Sequence, residues 1–155
     1  MGRSFRGIAA ATMALAAMAI PQAAMAGDPV SANAENIRKL DIMLMVTSLR
    51  CRTGPDNFQA DYLNFSKAHV GTMRSAASYL TADLTRRQGS AKAKRALDKM
   101  SVSMANSYGV GHPWLGCAEL KQVTRELAKE RSVARLSERA NELLASRPTG
   151  YLASR

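Results

Sequence analysis

The sequence predicts an all-α fold, namely a four-helix up-down bundle stapled by one disulfide. After residue 26 the apolar residues recur at intervals of three and four, which is typical of α-helices with one buried face. Glycine and proline interrupt this pattern between four segments. The two cysteines stand at the ends of segments that an up-down bundle brings to the same end. A length of 155 residues allows one domain, or one domain plus a targeting segment.

Residues 1–26 are predicted to be a cleavable secretory signal peptide. Arg3 and Arg6 precede an apolar run over residues 8–20, and residues 24–26 (Ala-Met-Ala) predict cleavage after Ala26. The alternative is a membrane anchor, but thirteen residues of helix cover about 20 Å, less than the roughly 30 Å of a bilayer core. Removal of this segment takes away two arginines and no acidic residue, so 129 residues with a formal charge of +8 remain of the original +10. We therefore expect a periplasmic or secreted protein without a transmembrane anchor after cleavage.

The first predicted helix covers residues 33–51 and ends before Gly54 and Pro55. Its expected buried row is Ile37, Leu40, Leu44, Thr47 and Cys51, with Met43, Val46 and Leu49 beside it. The second helix begins at Asp56, an N-cap residue with Gln59 in the capping-box position, and ends at Gly89. Gly71 is expected to bend or loosen it. Its expected row is Phe58, Tyr62, Phe65, His69, Met73, Ala76, Leu80 and Leu84.

The third predicted helix begins near Ser90 and ends at Gly109, and residues 109–116 form a loop. Its buried face carries Ala93, Leu97, Met100, Met104 and Tyr108. The fourth helix runs from Cys117 to Arg147, before Pro148. The phase of its apolar residues changes after the first part, from Leu120, Val123 and Leu127 to Val133, Leu136, Ala140 and Leu143. The bundle domain therefore covers residues 27–148, and residues 149–155 are expected to be a flexible tail.

Cys51 ends the first helix and Cys117 begins the fourth, and the up-down order places both at one end of the bundle. Two cysteines of an exported protein normally pair, which predicts a disulfide that stabilises the fold by about 4 kcal/mol. The alternative is a metal-binding or catalytic thiol pair. Because the third helix is short, the loop must extend roughly 20 Å along the bundle to reach Cys117. We therefore expect the loop to be ordered.

The loop 109–116 is the first candidate site. It contains His112 and the only tryptophan of the chain, Trp114, and the disulfide should bring Arg50 and Arg52 close to it. Trp114 could serve as a stacking surface and the arginines as counter-charges, which indicates a patch that binds an anionic ligand or a partner. The alternative is a structural plug, in which Trp114 covers the end of the core.

A second candidate is the positively charged turn between the second and third helices. We call it the basic turn; it comprises Arg86, Arg87, Lys92, Lys94, Arg95 and Lys99. With Asp98 as the opposing charge, it carries +5. This charge indicates contact with anionic lipid or a cell-envelope polymer. Nucleic acid is not expected, because the protein is exported and no aromatic residue is interleaved with these cations. The alternative is a patch that only improves solubility.

His69 lies among the aromatic residues of the second helix and is open to two interpretations. It is a general base or metal ligand, or it is a buried histidine that is bonded to a backbone or hydroxyl group. The second interpretation is favoured because no partner is visible in the sequence. The sequence contains no zinc, di-iron or haem spacing and no dinucleotide fingerprint, so we predict no catalytic residue, metal or cofactor.

Two segments resemble a group of small exported bacterial proteins of uncharacterised function. They are residues 40–51 (LDIMLMVTSLRC) with 56–62 (DNFQADY), and residues 109–120 (GVGHPWLGCAEL). Some members of this group are labelled S-adenosyl-homocysteine hydrolase, so the resemblance implies a hydrolase as one possible function. It implies no catalytic residue. Hydrolases of that name are large enzymes with a Rossmann domain and bound NAD, and this chain lacks their length, strands and glycine fingerprint.

The predicted function is that of an envelope protein that binds an unknown partner or an anionic ligand and has no recognisable catalytic site. One alternative is a small hydrolase that uses His112 or His69 as its base. The other is a periplasmic chaperone or stress protein, by analogy with small periplasmic acid-stress chaperones that also pair two cysteines in a helical domain. The oligomeric state does not follow from the sequence.

Overall fold

The computed structural model describes residues 29–145, and helices are the only regular elements in this range. Five helices follow one another: α1 (Pro29–Arg50), α2 (Gln59–Gln88), α3 (Ser90–Ser107), α4 (Cys117–Lys129) and α5 (Val133–Leu144). The prediction of an all-α fold with one disulfide is confirmed. The predicted signal peptide (residues 1–26) and tail (residues 149–155) lie outside the described residues.

The pair α1 and α2 forms the centre of the molecule. α1 packs on every other described helix, and α2 packs on α1, α3 and α4. The buried faces follow the predicted rows closely, although Leu49 on α1 is 46% exposed. The main core contains residues from all the helices except α3, together with loop residues: Leu40, Met43, Leu44, Cys51, Phe58, Phe65, Tyr108, Leu115, Leu120, Leu127, Leu136, Ala140 and Leu143. α2 runs without interruption through Gly71, so the helix is not broken there.

The start of α2 differs from the prediction. The helix begins at Gln59, three residues after Asp56, and the predicted capping box does not form. Asn57 takes over part of the capping role, because its side-chain oxygen accepts a hydrogen bond from the backbone N–H of Gln59 at 3.0 Å. This bond from a backbone N–H to an asparagine side chain two residues earlier is an Asx turn. The Asx turn at Asn57 replaces the predicted cap at Asp56.

The prediction of four helices is not confirmed, because the segment expected to form the fourth helix contains two. α4 ends at Lys129, and Glu130 and Ser132 adopt extended backbone conformations. The Glu130 carboxylate accepts the N–H groups of Arg131 and Ser132 at 2.8 and 2.7 Å, and the Ser132 hydroxyl accepts the N–H of Arg135. The bond to Arg135 satisfies one of the free donors at the start of α5, and together these bonds stabilise the break.

The disulfide joins Cys51, just after α1, to Cys117, the first residue of α4, with 5.8 Å between their Cα atoms. It holds both helix ends at the same end of the molecule, as predicted. The loop that leads to Cys117 is anchored in the core by Tyr108 and Leu115, which are 6% and 7% exposed. Arg38 of α1 also donates to the Ser101 hydroxyl of α3 at 2.8 Å.

Candidate functional site

His112 organises the loop between α3 and α4. Its Nδ1 accepts the backbone N–H groups of Trp114 and Leu115 at 3.4 and 3.2 Å. Its Nε2 lies 2.9 Å from the carbonyl oxygen of Leu143 in the last turn of α5. Since Nδ1 is an acceptor, the proton resides on Nε2, which donates to Leu143. Burial lowers the pKa of His112 below 6.5, against a smaller opposing effect of the bond to Leu143 and of the Glu119 charge.

Trp114 lies between the loop and the C-terminal end of α5. Its indole N–H donates to the carbonyl of Ala145 at 3.4 Å, and its ring meets the His112 ring edge-on at a centroid distance of 4.8 Å. The side chain is half-buried and packs against the main core. It therefore covers one end of the core, as the plug interpretation expects, and its remaining surface lines a groove.

The groove lies between α4 and α5 and has a volume of about 450 Å³. It exists because α4 packs on α2 whereas α5 packs on α1, so the two helices do not close against each other. Apolar side chains form its floor: Trp114, Leu115, Val123 and Leu143. Polar and charged side chains form its rim: Glu119, Gln122, Glu126, Arg139 and Glu142. An apolar floor with a polar rim is the usual composition of a ligand site.

Ionic and polar contacts connect the side chains of the rim. Arg139 of α5 reaches across to Glu126 of α4 at 3.9 Å and also pairs with Glu142. Gln122 donates to Glu126 at 3.2 Å. The carboxylate of Glu119 accepts the backbone N–H of Gly116 at 2.8 Å, which caps the start of α4. These contacts hold the acidic side chains around the groove.

The four residues of the predicted anion patch do not converge on one point. Trp114 lines the groove, whereas Arg50 and His112 line a smaller cleft of about 150 Å³ beside the disulfide. The Arg50 side chain lies close to Gly111, whose φ of 114° is favourable only for glycine. Arg52 lines neither space and donates to the carbonyl of Leu49 at 3.0 Å.

His69 is bonded to the backbone, as the favoured interpretation expects. It is 6% exposed, and its Nε2 lies 2.8 Å from the carbonyl oxygen of Leu127 in α4. Its ring packs against Phe65 at a centroid distance of 5.0 Å. The bond links α2 to the last turn of α4, where the Leu127 carbonyl also accepts the backbone N–H of Glu130 at 3.1 Å. His69 thus contributes to helix packing.

All six cations of the basic turn are exposed around Gly89, whose φ of 82° makes the turn between α2 and α3. The sequence interpretation overlooked one counter-charge. Asp83 pairs with Arg86 and Arg87, each at 2.8 Å, and these cations lower its pKa. With Asp83 and Asp98 as opposing charges, six basic residues give +4 instead of +5.

A polar pair between α1 and α2 was also overlooked. The Tyr62 hydroxyl donates to the Asp41 carboxylate at 3.1 Å, and both side chains are half-buried. Burial raises the pKa of Asp41, while Tyr62 and Arg38 act in the opposite direction. Burial and the Asp41 charge raise the pKa of Tyr62. The pair satisfies two polar groups at the helix interface.

Two further properties concern only residues 29–145. None of the helices there is long and apolar enough to cross a membrane. The same range contains no cluster of three or more histidine, cysteine or acidic side chains that could hold a metal ion.

No family model, no curated protein and no solved structure matches this chain. The groove therefore has to be interpreted from its own chemistry. The sequence interpretation found one of its apolar residues as a candidate, Trp114, but treated Val123 and Leu143 as ordinary core positions. The signal that could have indicated a groove was the change of apolar phase between Leu127 and Val133, because a helix break allows two segments to separate.

Proposed function

We propose that this chain is an exported, non-catalytic protein that captures a partner in the groove between α4 and α5. The groove beside Trp114 carries the proposal, since it offers an apolar floor of ligand size with charged groups around it. The disulfide is consistent with a non-cytoplasmic protein. We further propose that the protein is periplasmic or secreted, with residues 1–26 as its signal peptide, cleaved after Ala26.

The bonds of the two histidines favour binding over hydrolysis. A general base needs a ring nitrogen that is free to take a proton from substrate. In His112, Nδ1 accepts two backbone N–H groups and Nε2 donates to Leu143. His69 is 6% exposed and its Nε2 is bonded to Leu127, so its ring is out of reach of a substrate. The hydrolase implied by the resemblance therefore remains an alternative without a base assigned to it.

The size of the groove favours a specific partner over the general clients of a chaperone. Its volume of about 450 Å³ falls within the range of roughly 300–1,000 Å³ that is usual for ligand pockets. A holding chaperone needs a broad apolar surface. The large exposed apolar side chains are instead spread over α1, α2, α3 and the loop: Met45, Leu49, Leu63, Val70, Tyr79, Val102 and Val110.

The test is affinity capture from an envelope extract with the disulfide-bonded chain as bait. Val123→Arg places a charge on the groove floor and should abolish retention of the partner, because the apolar surface is no longer available. Val102→Arg is the matched control, since Val102 is 59% exposed on α3 and lies outside the groove. Wild type and Val102→Arg should retain the same partner.

Both variants should first be compared by circular dichroism and thermal unfolding, so that a loss of fold is recognised. The proposal fails if the wild type retains nothing above a blank resin. It also fails if the folded Val123→Arg variant retains the partner as well as the wild type does.

A further inference from the structure

We propose that the partner of the groove is a short cationic peptide segment, in which an apolar side chain is followed by lysine or arginine. This inference rests on the proposed function and names the chemistry of the ligand. It replaces the anionic ligand that the sequence analysis expected at Trp114. The charge around the groove, the shape of the space and the contacts of Arg139 all favour such a segment.

The charge around the groove is opposite to that of the chain. A second cleft of about 250 Å³ adjoins the groove and includes Glu130, Arg135 and Glu138. Together the two spaces are lined by five of the six glutamates of the chain, against two arginines, which gives −3 in a chain of +10. The five glutamates are Glu119, Glu126, Glu130, Glu138 and Glu142. Such a surface attracts cations and repels anions.

The two spaces form one elongated trough. Glu126, Arg139 and Glu142 line both of them, so the groove passes into the cleft at these side chains. The apolar surface lies in the groove near Trp114, whereas all but one of the residues that line the cleft are charged. An extended peptide with an apolar side chain at one end and basic side chains after it matches this order.

Arg139 shows how the rim binds a guanidinium group. It belongs to α5, is 42% exposed in its side chain, and pairs with Glu126 of α4 and Glu142 of α5. Acidic side chains from both walls therefore meet one cation between them. A basic side chain of the peptide would gain the same type of contact. An aliphatic or aromatic side chain would meanwhile cover Trp114 and Val123 and be removed from water.

The experiment measures binding of a fluorescein-labelled peptide, Leu-Phe-Ser-Lys-Arg-Lys amide, by fluorescence anisotropy to the disulfide-bonded chain. Two control peptides separate the two contributions. Leu-Phe-Ser-Glu-Asp-Glu amide keeps the apolar part, and Gly-Ser-Ser-Lys-Arg-Lys amide keeps the charge. We expect saturable binding of the first peptide and at least about tenfold weaker binding of each control, since both contributions are needed.

Variants locate the site. Exchange of two rim charges, Glu126→Lys with Glu142→Lys, should weaken binding of the first peptide about tenfold or more, and added salt should reduce the difference. Val123→Arg should abolish it. Glu35→Lys is the matched control, because Glu35 is exposed on α1 and is the glutamate that lines neither space. Its affinity for the peptide should equal that of the wild type.

The inference is wrong if the chain binds the acidic control peptide as tightly as the first peptide. It is also wrong if the folded double variant binds the first peptide as tightly as the wild type does. Residues 146–155 of the chain contain Tyr151 and Leu152 between Arg147 and Arg155, and thus have the same chemistry as the probe. If the probe binds only after removal of residues 146–155, that segment is the occupant of the groove, and the proposal of a separate peptide partner is wrong. If affinity capture depends on Val123 but no cationic peptide binds, the proposed function stands and this inference falls.

Discussion

His69 and His112 each donate a hydrogen bond to a carbonyl group near the C-terminal end of a short helix in another part of the chain. The acceptors are Leu127 in α4 and Leu143 in α5. A backbone carbonyl oxygen has two lone pairs, so an imidazole from elsewhere in the chain can donate to it beside a local backbone bond, as at Leu127, and fix the helix in place. The sequence predicted that His69 is bonded to a backbone or hydroxyl group, but it could not predict the bond of His112, because the sequence does not show which carbonyl group lies near that side chain.

The bonds of His112 predict that the protein is less stable in mild acid. Its pKa is lowered in the folded chain, so just below pH 6.5 the unfolded chain binds more protons than the folded one. The stabilisation is complete above about pH 6.5 and decreases as the pH falls through the lower, folded pKa. Protonation of Nδ1 would also break its two bonds to the loop backbone. Urea unfolding at pH 7.5, 6.5 and 5.5 measures this decrease.

The control is His112→Gln, which does not titrate in this range. Its overall stability should be lower, because the loop loses hydrogen bonds, but the decrease between pH 7.5 and 5.5 should be clearly smaller than that of the wild type. The charged and titratable groups around the ring are Tyr108, Glu119 and Arg50. An identical pH dependence in wild type and variant would show that His112 is not responsible.

Among the elements, the break between α4 and α5 determines the candidate site. The apolar phase changes between Leu127 and Val133, although the pattern on both sides of this change is that of a helix. Glu130 and Ser132 accept the backbone N–H groups around the break, and that local bonding outweighs the helix propensity of the segment. Propensity alone does not indicate such a break, because glutamate and serine also occur within helices.

α2 offers a test of helix propensity without a change in packing. Gly71 lies in its interior, and a Cβ atom added there would have nothing within 4 Å. Gly71→Ala should therefore raise the free energy of unfolding by about 0.5–1 kcal/mol, since alanine loses less backbone entropy on folding and makes no clash. Urea or thermal unfolding measures the change.

The matched control for this substitution is Gly89→Ala. Gly89 also has open space around it, but its φ of 82° is unfavourable for alanine, so the stability should decrease. If Gly71→Ala also lowered the free energy of unfolding, the prediction would be wrong, and α2 would depend on the flexibility of glycine at this position.

At the level of the whole molecule, the disulfide connects the end of α1 to the start of α4, over a separation of 66 residues. Reduction should lower the free energy of unfolding by about 4 kcal/mol, because the unfolded chain regains the entropy of an open loop. Guanidinium unfolding with and without dithiothreitol measures this. The double variant Cys51→Ser, Cys117→Ser should have the lower stability in both conditions and not respond to the reductant. A loss of less than about 1 kcal/mol on reduction would contradict the prediction.

The charges of the molecule are separated in space. The cations of the basic turn surround Gly89 between α2 and α3, whereas five glutamates line the trough between α4 and α5. Along the last segment of the sequence, positive and negative residues alternate, so the sequence alone does not show an acidic surface. Only the packing of α4 on α2 and of α5 on α1 turns the glutamates of both helices toward one trough.

The sequence by itself determined the helical class, most of the buried positions and the pairing of Cys51 with Cys117. Periodicity and cysteine placement are sufficient for these, because each helix buries the face that its apolar residues define. Only the tertiary structure decided that the last segment forms two helices, that His112 bonds to α5, and that Trp114 borders an acidic trough. The helix break depends on the local bonds of Glu130 and Ser132, whereas the other two features depend on contacts between residues distant in sequence, such as His112 and Leu143. Local patterns carry no information about which distant groups will meet.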